Sequence, residues 1–178
     1  MLIQDSRFRG GSGVAIGSIG QYLGVYEFME NITAERIVCD ACRHAGYVKT
    51  FTGVQKGVPP NGGGGGLGFA RNILFRDFVV SGVTDGVAQI TQCTSFEGRT
   101  GDCDTSTFQL SNITWSNITG TVANNLLASL QCSGVAPCED IVVEGVDGLV
   151  FNSNQAQPDV RCSNVGLGPG SVECNGNA

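Results

Sequence analysis

The chain repeats one arrangement of apolar and polar positions. A large apolar residue is followed five positions later by another, and Asn or Asp precedes the first of the pair. Residues five apart face opposite sides of a straight strand, so both point inward only if the chain turns a corner between them. Such bends between short strands are typical of a parallel β-helix. The units are Asn31–Ile37, Asn72–Phe78, Asn112–Ile118 and Asp140–Val146, with a degenerate copy at Ile3–Phe8.

The intervals between these units predict stacked coils with two insertions. Residues 54–68 and 94–104 lie within the two long intervals, and without them the coils are of similar length. Solenoids tolerate such insertions because each coil contacts only its neighbours. The first apolar residues of the units are 29, 41, 40 and 28 residues apart: Ile3, Ile32, Ile73, Ile113 and Ile141.

Two glycine-rich stretches have different predicted roles. In Gly10–Gln21 the glycines are interspersed with branched apolar residues, which predicts a buried strand with sharp turns at its ends. The run Gly62–Gly66 is not followed by the Lys-Ser or Lys-Thr pair of a phosphate-binding loop. We expect this run to be a flexible loop on the rim of the stack.

The composition is that of a β protein with many turns. Glycine accounts for 27 of the 178 residues, whereas Lys and Glu, which usually cover helix surfaces, are sparse. A net charge of −6 without any basic run argues against nucleic acid as a partner. No apolar stretch has the length of a membrane span, and no signal peptide follows Met1.

Eight cysteines and three glycosylation sequons nevertheless indicate an oxidising, secretory route. The sequon asparagines are Asn31, Asn112 and Asn117. A secretory protein without a visible signal peptide is expected to be a fragment. We therefore interpret the chain as the C-terminal part of a longer extracellular protein.

The cysteines are expected to be structural. Cys39 and Cys42 have the spacing of a redox or zinc motif, but the sequence lacks the strand-to-helix context and the second ligand pair of such motifs. Neither a metal nor a cofactor is therefore expected. Disulfides across short loops fit the remaining spacings, although sequence alone does not fix connectivity. The candidates are Cys93 with Cys103, Cys132 with Cys138, and Cys162 with Cys174.

The repeat ends near Val150, after which Asn, Gln, Pro, Ser and Gly dominate. The sequence therefore predicts two parts. Residues 1–150 form the coils, and residues 151–178 form a cysteine-stapled cap or tail over the open end of the stack.

Few other residues suggest chemistry. His44 is the single histidine and, beside Arg43, is expected to be a solvated residue. A sugar hydrolase needs one carboxylic acid and one carboxylate that flank the scissile bond. The acidic residues of this chain are scattered singly, and no Asp-Asp or Asp-x-Asp group lies on an apolar strand.

Two segments, in this order, resemble the pectinases of glycoside hydrolase family 28. The first is Gly11–Tyr22, GSGVAIGSIGQY, and the second is Tyr47–Lys49, about one coil later. The resemblance runs from Leu2 to about Leu149 and is strongest toward fungal exo-acting and rhamnogalacturonan-directed members. It implies an all-β fold, a right-handed single-stranded parallel β-helix (a solenoid) of which only the C-terminal coils are present. It also implies secretion and inverting hydrolysis of the pectin backbone.

The chain departs from this family at two positions. Where the family's polygalacturonases read Gly-His-Gly and Arg-Ile-Lys, this chain has Ser12 at the catalytic histidine position and Tyr47 at the arginine position. Lys49 is retained, so the resemblance implies Lys49 and Tyr47 as substrate-binding residues. Tyr offers one hydroxyl in place of a planar, two-pronged donor for a uronate carboxylate. The family's catalytic aspartates precede the Gly-His-Gly motif and would lie before Met1.

Three functions are compatible with these observations. The first is a secreted glycosidase of galacturonan or rhamnogalacturonan, a monomer at full length, with a pectic polysaccharide as partner and neither nucleic acid nor membrane. This chain alone would be inactive. The alternative is a non-catalytic carbohydrate-binding β-solenoid, which upstream Asn-Thr-Asp and Asp-Asp motifs would argue against. The third is a truncated product that aggregates through an unpaired strand edge.

Overall fold

The structure is a computed structural model that describes residues 1–94, 102–153 and 157–178. These residues form twelve strands and no helix, and hence no helix long enough to span a membrane. The strands are β1 (Leu2–Arg9), β2 (Val14–Ile19), β3 (Tyr26–Asp40), β4 (Gly46–Phe51), β5 (Leu67–Val83), β6 (Ala88–Thr94), β7 (Gln109–Val122), β8 (Leu126–Gln131), β9 (Cys138–Glu144), β10 (Leu149–Phe151), β11 (Asp159–Ser163) and β12 (Val165–Leu167).

The strands form two parallel sheets that the chain visits in turn. The first sheet has the order β1-β3-β5-β7-β9-β12, and β10 also pairs with β7. The second sheet has the order β2-β4-β6-β8-β11. Each pass through one strand of each sheet is one coil, and the coils stack with their apolar side chains inside. The predicted all-β, parallel β-helix fold is confirmed.

The units of the predicted repeat lie in register on neighbouring strands of the first sheet. Ile32, Ile73, Ile113 and Ile141 lie side by side on neighbouring strands and are buried. Like side chains stacked in this way fill the interior with one buried apolar row.

The predicted corner within each unit is a single residue with a positive φ. Arg36 (53°), Asp77 (58°) and Asn117 (51°) each come directly before the second inward residue of the unit. Asn and Asp tolerate this left-handed conformation better than most residues. The Asn or Asp that opens each unit is left-handed as well, with φ between 50° and 57°, which explains its place in the repeat. Arg36 is held by ion pairs with Asp5 and Glu35.

The predicted alignment of Ile3 with Ile32 is wrong. Ile3 is in register with Ala34, and Phe8 is in register with Cys39. In strand β3, two pairs of residues point inward, and the two members of each pair are five positions apart in sequence. Strand β1 stacks on the second of these pairs. The pattern alone does not distinguish these two registers.

The run Gly62–Gly66 is a packed segment, so the expected flexible loop is wrong. Four of its five glycines are buried, and all five backbone N–H groups donate hydrogen bonds of 2.8–3.1 Å. A Cβ on Gly64 would lie 2.6 Å from the carbonyl oxygen of Val54, and one on Gly66 would lie 2.5 Å from the Cα of Gly20. The segment contains glycine because backbone packs directly on backbone there.

The core supports the second sheet through one aromatic pair. Trp115 is fully buried, and its ring stacks on Phe75 with centroids 5.2 Å apart. The Trp115 indole donates a hydrogen bond of 3.1 Å to the carbonyl oxygen of Gly46, at the start of β4. A Cβ on Gly46 would lie 2.6 Å from the indole nitrogen. Glycine therefore lets the core touch the backbone directly beneath Tyr47.

Six cysteines are paired and two are not. The disulfides join Cys93 to Cys103, Cys132 to Cys138 and Cys162 to Cys174, the pairs considered from the spacing. Cys39 and Cys42 are free and completely buried, and burial raises the pKa of the Cys39 thiol.

The residues after Val150 extend both sheets. Strand β11 pairs with β8 of the second sheet, and β12 pairs with β9 of the first. The first predicted insertion, residues 54–68, covers most of the connection between β4 and β5 and the first two residues of β5. Of the second, residues 94–104, residues 95–101 lie outside the described residues.

Candidate functional site

The outer surface of the second sheet, here called the outer face, carries two rows of side chains. Alternation along each strand buries one residue and leaves the next facing outward. The register aligns these outward residues across the strands. One row is Ala15, Tyr47, Gln89, Ser129 and Arg161, and the other is Gly17, Lys49, Thr91, Gln131 and Ser163.

Lys49 is distinguished by its missing counter-ion. Every other Lys or Arg among the described residues lies within 4.0 Å of a carboxylate. Lys49 has no ion pair in those ranges, although its side chain is half-buried at the centre of the outer face. A positive charge in such a place attracts an anionic group of a ligand.

A cavity of about 440 Å³ adjoins Tyr47 on the same face and is here called the Tyr47 cavity. It reaches from β4 to β11, three strand spacings or about 14 Å. Arg43 and Asp85 lie on its rim, where the guanidinium Nε donates to the carboxylate at 2.6 Å. The volume is within the range of small-ligand pockets, although the lining is more polar than such pockets usually are.

The hydroxyl of Tyr47, the amide of Gln89 and the hydroxyl of Ser129 make no hydrogen bond to any described residue. All three side chains are half-buried and line the Tyr47 cavity. Burial raises the pKa of Tyr47, so its hydroxyl stays protonated as a donor. Polar groups without protein partners are available to a ligand.

His44 is buried, so the expected solvated histidine is wrong. Only 4% of its surface is exposed. Its ring centroid lies 4.6 Å from that of Tyr47, and its Nδ1 lies 3.0 Å from the carbonyl oxygen of Asp85. Burial lowers the pKa of His44, so the ring is uncharged at neutral pH. The ring fixes one side of Tyr47.

Ser12 lies on the rim before β2 and is exposed. The turn that carries it packs on the next coil, because the carbonyl oxygen of Gly11 accepts a hydrogen bond of 2.8 Å from the Arg43 N–H. A Cβ on Gly13 would overlap the carbonyl oxygen of His44. Ser12 is thus beside the Tyr47 cavity and does not line it.

Three residues of the Tyr47 cavity were not predicted from the sequence: Gln89, Ser129 and Arg161. Each lies one coil farther along the row that starts at Ala15 and Tyr47. The coil interval of 41 residues, added to the position of Tyr47, leads to Ala88, one residue short of Gln89. The first such interval contains an insertion, which hides the alignment until the strands are known.

The carboxylates near the outer face are engaged. Asp85 is paired with Arg43, and Asp159 with Arg161 at 2.6 Å. Within the described ranges, no three His, Cys, Asp or Glu side chains are grouped as metal ligands would be.

The three sequon asparagines are exposed and lie away from the outer face, on strands of the first sheet. Asn72 donates to the Oδ1 of Asn31 at 3.0 Å, and Asn112 donates to the Oδ1 of Asn72 at 2.9 Å. Asn117 donates to Asp77 at 2.6 Å. The amides form ladders between coils, and glycosylation of these residues stays a prediction.

The outer face of this parallel β-helix therefore offers a ligand two hydroxyls, an amide and an ammonium group, those of Tyr47, Ser129, Gln89 and Lys49. The model of the glycosyl hydrolases family 28 matches residues 1–174. The chain belongs to this family.

Named relatives show the range of the similarity. Alpha-L-rhamnosidase rgxB of Aspergillus niger is 41% identical over 177 residues, which are 99% of this chain and 41% of that protein. Exopolygalacturonase X-1 of Emericella nidulans is 29% identical over 180 residues, 98% of this chain and 40% of that protein. Exopolygalacturonase of Cochliobolus carbonum is 30% identical over 153 residues, 83% of this chain and 34% of that protein. The chain spans about two fifths of the length of the curated relatives it matches.

Proposed function

We propose that the chain is the substrate-binding part of an extracellular glycoside hydrolase that cuts the pectin backbone. The observation that carries the proposal is Lys49, a half-buried cation without a counter-ion on the outer face. A uronate carboxylate supplies the missing charge, and a charge-assisted hydrogen bond is stronger than a neutral one. The names of the relatives, a rhamnosidase and exopolygalacturonases, support a pectic substrate.

Tyr47 and its neighbours orient the sugar next to that carboxylate. Tyr47, Gln89 and Ser129 offer a hydroxyl, an amide and a second hydroxyl at known positions in one row. Ser12, on the adjoining rim, contacts a sugar hydroxyl and transfers no proton, because no described side chain forms a hydrogen bond with it and so none acts as its base.

The carboxylates that hydrolyse the bond lie outside these residues. Inversion needs an acid and a base on opposite sides of the bond, with room for water between them. Asp85 and Asp159 are each paired with an arginine instead, and Asp104 accepts hydrogen bonds from Gly134 and Asn164. We therefore expect the described residues to bind pectic chains without cutting them. Three disulfides support an extracellular location.

Isothermal titration calorimetry with purified pectic oligosaccharides tests this proposal. The wild-type chain is expected to bind them, and Lys49→Gln to weaken binding about tenfold or more, since a hydrogen bond to a charged group is lost. Arg71→Gln removes one positive charge from the first sheet and is the matched control, expected to bind as the wild type does. Equal binding by Lys49→Gln, or no binding by the wild type, would overturn the proposal. Release of new reducing ends by the 178-residue chain would overturn the location of the carboxylates.

A further inference from the structure

The outside of the first sheet carries a group of exposed apolar side chains. Tyr26 and Phe28 on β3 are 64% and 61% exposed, and Leu67 on β5 is 42% exposed. Strand register places Tyr26 beside Leu67 and Phe28 beside Phe69, which is half-buried. These four side chains are here called the aromatic patch. They lie on the first sheet, whereas the outer face with Lys49 belongs to the second.

The alternation of β3 turns the rings of the patch outward. Met29 packs against the core, and the carboxylate of Glu27 accepts a hydrogen bond of 3.0 Å from the N–H of Gly20. Successive residues of a strand point to opposite sides, so Tyr26 and Phe28 face away from the core. A contiguous apolar patch that stays exposed on a protein surface is often a binding site.

The rings of the patch are held in place by one another. The Phe28 and Phe69 rings stack with centroids 5.6 Å apart, and the Tyr26 ring meets Phe69 edge-on at 6.3 Å. The guanidinium carbon of Arg71 lies 4.4 Å from the centroid of Phe69 and fixes that ring further. Arg71 is in turn paired with Glu30 at 2.9 Å. Side chains that are already ordered lose little entropy when a ligand binds.

The patch is too small for a stable protein interface. A large apolar side chain has a surface of about 150–250 Å², so four that are partly exposed offer about 400 Å² together. A stable protein–protein interface needs about 800 Å² from each partner. A second copy of the chain would therefore find too little apolar area there. A narrow ligand that contacts two or three rings uses the whole patch.

We propose that the aromatic patch is a carbohydrate-binding site separate from the outer face, and that its ligand is a neutral glycan with flat, equatorially linked sugar rings. One face of such a sugar is a surface of C–H bonds that carry small positive charges. The face of an aromatic ring is negative, so the two surfaces attract each other as they leave water. The four side chains carry no charge, and the net charge of the chain is −6, so a polyuronate gains no attraction there.

Affinity gel electrophoresis with hydroxyethyl cellulose, a soluble neutral glycan, tests the proposal. The polysaccharide in the gel is expected to retard the wild-type chain. Tyr26→Ala and Phe28→Ala are each expected to raise the dissociation constant about fivefold, because an aromatic contact is lost. Phe28→Leu keeps an apolar side chain without the ring and is expected to weaken binding to a similar extent.

Two variants serve as controls. Val79→Ala shortens an apolar side chain that is 53% exposed on β5 of the same sheet, and it is expected to be retarded as the wild type is. Lys49→Gln removes the cation of the outer face and is likewise expected to be retarded normally. Calorimetry with pectic oligosaccharides is expected to show weaker binding by Lys49→Gln and unchanged binding by Phe28→Ala. The midpoint of urea unfolding establishes that each variant is folded.

Reduced retardation of both alanine variants and of Phe28→Leu, with neither control affected, supports the proposal. Absence of retardation of the wild type overturns it, and so does normal retardation of Phe28→Leu, since ring stacking is then not the cause. Weaker binding of pectic oligosaccharides by Phe28→Ala overturns the separation of the two sites. Sedimentation as a dimer that Phe28→Ala converts into a monomer assigns the patch to a second copy instead. The proposed function is tested by Lys49→Gln and does not depend on these outcomes.

Discussion

His44 and Lys49 show how one sheet face treats two basic side chains in different ways. Lys49 is half-buried on the outer face and has no ion pair among the described residues. His44 is enclosed between Tyr47 and the backbone of Asp85, and burial lowers its pKa. In the proposed site Lys49 offers a charge to the ligand, whereas His44 packs against Tyr47.

The lowered pKa of His44 predicts that stability falls as the solution becomes acidic. The unfolded chain takes up the proton near pH 6.5, before the folded chain does, so the stability is complete above that pH and is lost below it. A single titrating group changes the free energy of unfolding by at most about 1.4 kcal/mol per pH unit. His44→Gln is expected to flatten the free energy of unfolding, measured in urea, between pH 7 and pH 5.

The acidic groups with lowered pKa values act in a different pH window. Ion pairs with arginine lower the pKa of Asp5 and of Glu35, and their contribution is lost only as the pH falls below about 4. A slope between pH 7 and pH 5 that persists in His44→Gln would therefore contradict the role of His44.

At the scale of elements, two devices hold neighbouring coils together. The asparagine ladder repeats one hydrogen bond from coil to coil along the first sheet. The Gly62–Gly66 segment fills the space between the ends of β2 and β4 with backbone only. Both devices depend on single residue types in fixed places, so substitutions there test the fold directly.

Gly64→Ala is expected to destabilise the protein by about 3 kcal/mol. The φ of Gly64 is 130°, a value that side chains rarely allow, and the added Cβ meets the carbonyl oxygens of Val54 and Thr52. Gly24 also has a positive φ, 69°, but nothing lies within 4 Å of its Cβ position. Gly24→Ala is thus the matched control, with an expected loss of about 1 kcal/mol. If urea unfolding shows the same loss of stability for Gly64→Ala and Gly24→Ala, the contacts of the added Cβ at Gly64 do not determine the effect.

At the scale of the whole molecule, contacts run almost entirely between adjacent coils. A solenoid of this kind is able to open from one end while the rest stays folded. The last coil is the end that Cys162–Cys174 closes, across 12 residues. The role of residues 151–178 as a cap stays a prediction, and this disulfide provides the means to test it.

Replacing both Cys162 and Cys174 by Ser is expected to cost about 3 kcal/mol of local stability. Hydrogen exchange followed by mass spectrometry is the measurement. Exchange is expected to rise in β11 and β12, which pair with the last coils, and to stay unchanged in β3 and β5. A uniform rise through all strands would mean that the chain unfolds as one unit and that the tail is no cap.

Much of the fold could be predicted because a β-helix repeats its local pattern. The inward residues five apart indicated corners, and the structure has a left-handed residue at each one. Strand β2 was predicted from the apolar residues among the glycines of Gly10–Gln21, and Val14, Ile16 and Ile19 are buried. The register of β1 could not be predicted, since two inward pairs on β3 satisfy the same pattern.

The candidate site was less predictable, because it depends on contacts between coils. Tyr47 and Lys49 were named through a family resemblance; the structure places both on the outer face, and their role in substrate binding stays a prediction. The burial of His44 comes from a packing contact with Tyr47 and a hydrogen bond from the following coil. The packing of Gly62–Gly66 depends in the same way on Gln21 and Thr52. Sequence composition suggests flexibility for glycines whether or not another backbone lies against them.

Trp115 is the single tryptophan of the chain, and its indole N–H is bonded to the backbone under Tyr47. The protein therefore contains its own optical reporter. Because Trp115 is fully buried, we expect emission typical of an apolar environment, and a ligand that shifts Tyr47 or β4 is expected to alter the hydrogen bonding around the ring. A fluorimeter thus follows occupancy of the outer face in real time, without a label, while the ring itself stays out of reach of the sugar.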